Sequence, residues 1–293
     1  MLDAQKNCSD DETRAIPSVS VGVRFHSFKN INLFERCILC VSAQEGVSVH
    51  LIVALQDFDP VQEEAVRQII KYYFQPARFS FEILNIENPE KADLRSRLLN
   101  AIVDWHYERS SNNLLSFIDF DDIWFKHALK TLSEPLRRAD FAVSYADVHC
   151  ADLYIDNGRI FTRSIKDVFQ INNKHKDDLK KGNFLPIHSY MLRTDLIEFD
   201  DLRYDESLCR TEDYDVLLKL AAKHPFSPFK RSELIGLYNF YSSEGEYCNT
   251  TENIFNGTGS LAPDKQWKDS MDIIIRRHVG ANWKTFFGEE VEF

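Results

Sequence analysis

Glycine is scarce in this chain, ten in 293 residues. That leaves little material for glycine-rich phosphate loops or for a glycine-punctuated repeat array. Long apolar runs are absent too. The longest, Cys37–Val41 and Leu51–Leu55, fall far below the ~20 residues a membrane-spanning helix needs. Basic residues are in the minority, 35 Lys and Arg against 46 Asp and Glu, for a formal charge of −11 and a pI near 5.3. A nucleic-acid binder would need a basic face to displace counterions from phosphates, so that class is excluded. The six cysteines are scattered. Only Cys37 and Cys40 stand close together, inside an apolar helical pattern, and they read as core thiols rather than a redox or metal pair. The first residues (MLDAQKNCSDDETRAIPS) lack the basic start and apolar run of a secretory signal. A reducing cytoplasm is therefore the expected compartment, where the sequons at Asn249 and Asn256 carry no meaning.

What the chain does have is core material: 44% apolar residues, 13% aromatic, with 22 Phe. That supports a folded core rather than a disordered chain. Residues 1–16 read as a loose leader. Alternation over Pro17–Phe25 then predicts a strand, with Val19, Val21, Val23 and Phe25 on one face. Leu33, Cys37, Cys40 and Val41 recur at helical spacing. Strands follow at Val47–Leu55, Phe79–Leu84, Leu114–Ile118 and Phe141–Tyr145. Helices separate them, around Pro60–Tyr73, around Ala92–Tyr107 and through Leu136. This alternation specifies an α/β fold of βαβ units, a mostly parallel sheet flanked by helices. Ligands in such sheets sit beyond the carboxyl ends of the strands. The second half loses the rhythm. Residues 151–185 are polar and mixed, and Lys174–Lys181 reads as a solvated surface segment. An apolar element (FLPIHSYMLR), a helix over about Glu212–Lys223 and a strand near Ile235–Phe240 come next. From Ala262 a helical extension carries Trp267, Met271, Ile274 and Ile275 on one stripe, suited to packing on the domain, to a dimer contact or to a membrane surface.

The strongest chemical signal is Ser116–Trp124, SFIDFDDIW. An apolar strand runs into Asp119-Phe120-Asp121-Asp122, and strand alternation puts Asp119 and Asp121 on one side. Two carboxylates so close repel unless a cation lies between or beyond them. Mg²⁺ or Mn²⁺ answers that need and would bridge to diphosphate oxygens. The plainer alternative is a turn in which Asp122 caps the next helix. The second signal is Thr211-Glu212-Asp213, opening the helix TEDYDVLLKLA. Thr211 suits an N-cap, and acids in the first turn suit the helix dipole, which would keep Asp213 ionised at neutral pH as a general base requires.

In order and spacing, VSVGVRFHSF, LFERCILCVSAQ, FIDFDDIW, GNFLPIHSYMLR and YDESLCRTEDYDVLLKLA resemble the family 2 glycosyltransferases of GT-A fold, over roughly residues 17–242. The resemblance implies a Rossmann-like GT-A domain over residues 17–261, with residues 262–293 as a C-terminal extension. It implies that Asp119 and Asp121 hold the metal and the nucleotide-sugar, Asp121 touching the metal most directly. Asp213 matches the catalytic base of inverting transfer. Arg24, Phe25 and His26 stand where the family lines the base and ribose site. His26 replaces a base-stacking Tyr, or is a plain loop histidine. The family's paired Asp after the second strand reads Leu55-Gln56 here, followed by Asp57. Gln56 can offer a donor and an acceptor to a base, but the departure leaves base identity open. Arg95, or Arg97, falls in the helix where the family places an arginine near the nucleotide, and an exposed helical arginine is the alternative. Phe120 and Glu212 accompany the two acidic motifs at the donor site, and His188 stands near donor sugar or acceptor. Relatives often carry a further histidine ligand after the last helix of the domain. Tyr241 is at the approximate place here, so no third ligand is identified.

The activity implied is inverting, metal-dependent transfer from a nucleoside-diphosphate sugar, UDP-linked first, to a glycan or lipid-linked glycan in bacterial surface polysaccharide synthesis. A lipid-linked acceptor would bring the chain peripherally to the inner face of the membrane. Two rivals stand beside it. One is a catalytically silent nucleotide-sugar binder of the same fold, against which both acidic motifs speak. The other is a haloacid-dehalogenase-like phosphatase. Its motif needs Thr or Val where Trp124 stands, and it lies near the N-terminus.

Overall fold

The structure is a computed structural model that describes residues 16–74, 79–90, 94–138, 140–156, 159–241 and 265–278. Most of the leader, the two sequons, residues 279–293 and the side chain of Trp267 lie outside the described residues. Two sheets are present. In the first, β1 (Ser18–Phe25), β2 (Ser48–Gln56), β3 (Phe79–Ile86) and β4 (Leu114–Asp119) run parallel. Beyond them lie β9 (Tyr190–Arg193), antiparallel, and β6 (Val143–Tyr145), giving the order β3-β2-β1-β4-β9-β6. In the second, β5 (Ile123–Trp124), β10 (Leu234–Tyr241), β7 (Asp147–Asp156) and β8 (Arg159–Lys166) lie side by side in that order.

The crossovers of the first sheet are α1 (Ile31–Ser42), α2 (Pro60–Tyr73) and α3 (Arg95–Arg109). α2 starts where the sequence says it should. Asp59 accepts from the N–H of Val61 and Gln62, Gln62 returns the contact to the Asp59 N–H, and Pro60 supplies a preset φ. Such a box is worth about 1 kcal/mol. α1 buries Leu33, Phe34, Cys37, Ile38 and Val41, while Cys40 on its flank accepts a hydrogen bond from the Trp124 N–H at 3.4 Å. Gly22 lets α3 lie directly on β1, since a Cβ there would sit 2.7 Å from Ile102 and Phe117 side chains. Phe25 stacks on Phe34 with ring centroids 4.6 Å apart, one of several aromatic contacts in the core.

α4 (Ala128–Leu136) covers the sheet beside β6 and β9, and α5 (Glu212–Lys223) follows a run of short 3-10 turns. The second half of the chain departs from the sequence reading at two points. Lys174–Lys181, expected to be a solvated surface segment, is exposed or half-buried except at Leu179, which is fully buried, its carbonyl accepting the Tyr214 hydroxyl at 2.5 Å. The stretch expected to be mixed and irregular holds the β7–β8 hairpin. The last described helix, α6 (Lys265–His278), buries Met271, Ile274 and Ile275 within this chain. It is fastened to α5. Arg277 and His278 reach the buried Asp215 carboxylate at 2.9 and 2.8 Å, and Arg277 also reaches Asp205 at 2.8 Å.

Candidate active site

Because β1, β2 and β4 are parallel, their carboxyl ends meet at one edge. Arg24 on β1 is the ladder partner of Asp119 on β4. That register builds a charge pair. Arg24 Nε donates to Asp119 Oδ1 at 2.6 Å and Nη2 to Oδ2 at 3.1 Å, a two-pronged contact. Nη1 of the same guanidinium donates to Glu212 at the start of α5. Arg24 is 11% exposed and Glu212 2%. One buried cation thus ties the end of β4 to the beginning of α5, across 188 positions of sequence. Burial pushes the Asp119 carboxyl up, but the Arg24 guanidinium outweighs it and holds the group below its ordinary value.

Past β4 the chain turns, with the Asp122 N–H donating to the Asp119 carbonyl at 3.0 Å. The turn is anchored from behind. The Asp121 carbonyl accepts from Arg36 at 2.9 Å and from the Asn239 side chain at 2.6 Å, and Arg36 also donates to the Tyr241 hydroxyl at 2.7 Å. Asp122 does not cap a helix. Its carboxylate accepts the Asn239 N–H at 2.8 Å and lies 3.0 Å from His188 Nδ1, both groups sealed from solvent. This leaves the Asp121 carboxylate for other work. Burial, then the Asp122 and Asp119 carboxylates, push it well above the ordinary range. No other described side chain donates to it.

α5 presents the second acidic motif. Thr211 occupies the N-cap position, but at φ 58° it gives no side-chain cap, and its hydroxyl donates instead to the Arg210 carbonyl at 2.6 Å. A left-handed β-branched residue is strained, and it sits directly before the acids. Asp213 caps itself, Oδ1 accepting the Tyr214 N–H at 2.9 Å, while Oδ2 lies 3.4 Å from Asn183 Nδ2. The expectation that the helix start keeps Asp213 fully ionised is corrected. Burial first, then the neighbouring Glu212 carboxylate and Asp119, raise its carboxyl to about 7, against the pull of Arg24 and the Tyr214 N–H. Asp119 bears on Asp213 directly, so the two acidic motifs share one field.

The remaining residues singled out from the sequence fall into five places. Gln56 and Asp57 close β2, Gln56 half-buried and Asp57 exposed at φ 57° with its N–H on the Ile86 carbonyl at 2.9 Å. His26 is exposed, edge-on to Phe120 at 5.2 Å. Arg95 opens α3, half-buried, and its charge helps hold Asp119 down, whereas Arg97 is exposed. Phe25 and Phe120 are different: Phe25 is fully buried and Phe120 6% exposed, packed on one another at 5.2 Å. The Phe25 ring shapes the floor of the site and has no surface to offer a nucleotide. His188 is fully buried beside Asp122, its carbonyl accepting from Trp124 Nε1 at 2.7 Å. It braces the acidic turn from inside.

The sequence reading passed over Arg36 and Asn239, which hold the Asp121 backbone, and Tyr190 and Tyr204. These two phenols are buried, and burial together with the Asp213 charge pushes both up. In sequence a tyrosine in an apolar element looks like core, so no local signal marked them.

No protein-family profile matches the chain, and no curated protein sequence is similar to it. Solved structures are similar. S. aureus TarS 1–349 in complex with UDP-GlcNAc superposes with a TM-score of 0.58 at 13% identity, over 91% of this chain and 67% of that one. The mannosyltransferase PcManGT from Pyrobaculum calidifontis, in complex with GDP-Man and Mn²⁺, does so with a TM-score of 0.58 at 10% identity, over 91% of this chain and 65% of its own. The fold is GT-A. This chain spans 46% of the longer TarS chain, with a TM-score of 0.54. Within the GT-A frame, β4 delivers the acidic turn, and α5 delivers Glu212 and Asp213 to the same edge.

Proposed function

We propose that the protein is an inverting glycosyltransferase that moves a sugar from a nucleoside-diphosphate donor, UDP-linked first, to a hydroxyl of a glycan or lipid-linked glycan. In this reading residues 17–261 form the transfer domain, and the acceptor belongs to bacterial surface polysaccharide. The observation that carries it is the Arg24 bridge, which gathers Asp119, Glu212 and the neighbouring Asp213 at the carboxyl edge of a parallel sheet. Two proteins of the same fold hold UDP-GlcNAc, or GDP-Man with Mn²⁺.

Asp121, with Asp119 beside it, would hold Mn²⁺ or Mg²⁺. Two carboxylates, Asp121 half-buried and Asp119 24% exposed, are the hard oxygen donors such an ion takes. Bound there, the cation would offset the charge building on the leaving diphosphate. Arg24 keeps Asp119 ionised and fixes its oxygens. Gln56, Asp57 and His26 line the rim where a base and ribose would lie, with Arg95 nearby. Asp213 takes the proton of the acceptor hydroxyl as it attacks the sugar from the face opposite the diphosphate. A carboxyl near 7 suits that role, because a base works best with its pKa close to the working pH. Positioned general-base help is worth about 10²–10⁴-fold.

The test is transfer by Asp213→Asn, with donor binding measured in parallel. Loss of at least a hundredfold in turnover with the donor Kd unchanged is expected. Near-normal turnover would remove Asp213 from the role.

A further inference from the structure

A second set of metal-ligating groups lies on the other sheet, away from the acidic turn. Asp147 opens β7, and His149 follows two residues on, on the same side of the strand. Asp167 comes immediately after β8, which folds back so that Lys166 stands opposite Cys150. The hairpin therefore returns Asp167 to the base of the strand that carries the other two. One ligand atom from each residue lies within 4.8 Å of the others. His149 Nε2 is 3.3 Å from Asp147 Oδ2.

An independent observation says that this group is incomplete as it stands. Asp147 is 4% exposed, and its other carboxylate oxygen, Oδ1, is buried with no hydrogen-bond partner among the described residues. Leaving a buried acceptor unmade costs about 1–3 kcal/mol, more for a charged group. A second carboxylate, Asp167, adds like charge beside it. A bound cation would relieve both.

We propose that Asp147, His149 and Asp167 bind one divalent transition-metal ion, separate from the ion assigned to Asp121 and Asp119. The donor set selects its class. An imidazole nitrogen with two carboxylates suits Zn²⁺, whereas the all-oxygen acidic turn suits Mg²⁺ or Mn²⁺. Ligands bound at about 2.0–2.2 Å lie closer together than the unligated atoms do, and Asp167, exposed and with Oδ1 accepting the Gln170 N–H at 2.7 Å, is the ligand that would shift. Three protein ligands leave a position for water. The ion would clip the two ends of the β7–β8 hairpin together, beside β10, whose Asn239 holds the acidic turn.

The experiment is calorimetric titration of the chelator-treated full chain with Zn²⁺, with thermal melting followed alongside. One equivalent should bind and raise Tm. His149→Ala and Asp167→Asn, both at solvent-accessible positions, should weaken that equivalent at least tenfold and abolish the rise in Tm. Asp121→Asn should leave it intact. The proposal is overturned if the two hairpin variants bind Zn²⁺ as the parent does, if Asp121→Asn removes the equivalent instead, or if the parent binds none. Because this readout uses neither donor nor transfer, its outcome is independent of the proposed activity.

Discussion

At the scale of single residues, the site turns on how its acids, Asp119, Asp121, Asp122, Glu212 and Asp213, share the charge of Arg24. Arg24 is shared between Asp119 and Glu212, while burial first, and then the neighbouring carboxylates, push Asp121 and Asp213 up. For Asp213 the consequence is a pH profile. The base must be deprotonated to accept a proton, so kcat/KM should fall about tenfold per pH unit below about 7 and level off above it. A profile flat from pH 5.5 to 8.5 would place the titrating group elsewhere. Arg24 itself is a stability device. Replacing it with Met strands the buried Glu212 carboxylate and the half-buried Asp119 one, and removing one partner of a buried pair typically costs about 3–5 kcal/mol. Denaturant unfolding of Arg24→Met at neutral pH should show a loss of that order, and a loss under 1 kcal/mol would mean that solvent reaches the pair. None of this was readable in the sequence. SFIDFDDIW and TED announce carboxylates, but a partner 188 positions away carries no local sign. In sequence Arg24 counted only as a residue of the base and ribose site.

Among the elements, legibility followed periodicity. β1, β2, β4 and the helices between them are buried on a stripe or on both faces, so their apolar patterns are strong, while β3 at the sheet edge is half-buried and read by its alternation. α2 and α5 fall on the residues the pattern names. The β7–β8 hairpin was missed because it is half exposed. β8, RIFTRSIK, is an edge strand with Ile165 53% exposed and Arg or Lys interspersed, a pattern that reads as polar loop. With the hairpin went Asp147, His149 and Asp167, which no sequence spacing joins. The α5–α6 junction makes a prediction of its own. Asp215 is buried, with Arg277, His278 and Lys219 around it. Burial raises its carboxyl, but the His278 contact and the Lys219 and Arg277 charges win and hold it below the ordinary value. A depressed carboxyl stabilises above its unfolded pKa of about 3.9 and loses that contribution as pH falls through the folded value. Asp215→Asn should therefore cost several kcal/mol at pH 7, with the gap closing on acidification below about pH 4. An equal deficit at pH 7 and pH 3.5 would show that the loss is packing rather than charge.

For the whole molecule, the two sheets meet where the acidic turn passes from β4 into β5, and the second sheet supports the turn through Asn239. Three residues of the α6 stripe, Met271, Ile274 and Ile275, are buried within the chain. Among the described residues no helix is long and apolar enough to cross a membrane. The fold was legible as an alternation of strands and helices ending in acids at one edge. The identity of the base was not, because Gln56, half-buried, and His26, exposed, carry hydrogen-bonding groups that suit more than one base. The measurement that bears most directly on the central claim is a thermal-shift panel of UDP- and GDP-sugars with and without Mn²⁺. A ligand at a hundred times its Kd stabilises by about 2.7 kcal/mol, several degrees in Tm for a chain of this size. The account predicts that one donor raises Tm only when Mn²⁺ is present, that Asp121→Asn abolishes the shift, and that Asp213→Asn keeps it. A shift indifferent to Asp121, or no shift with any nucleotide-sugar, would contradict it.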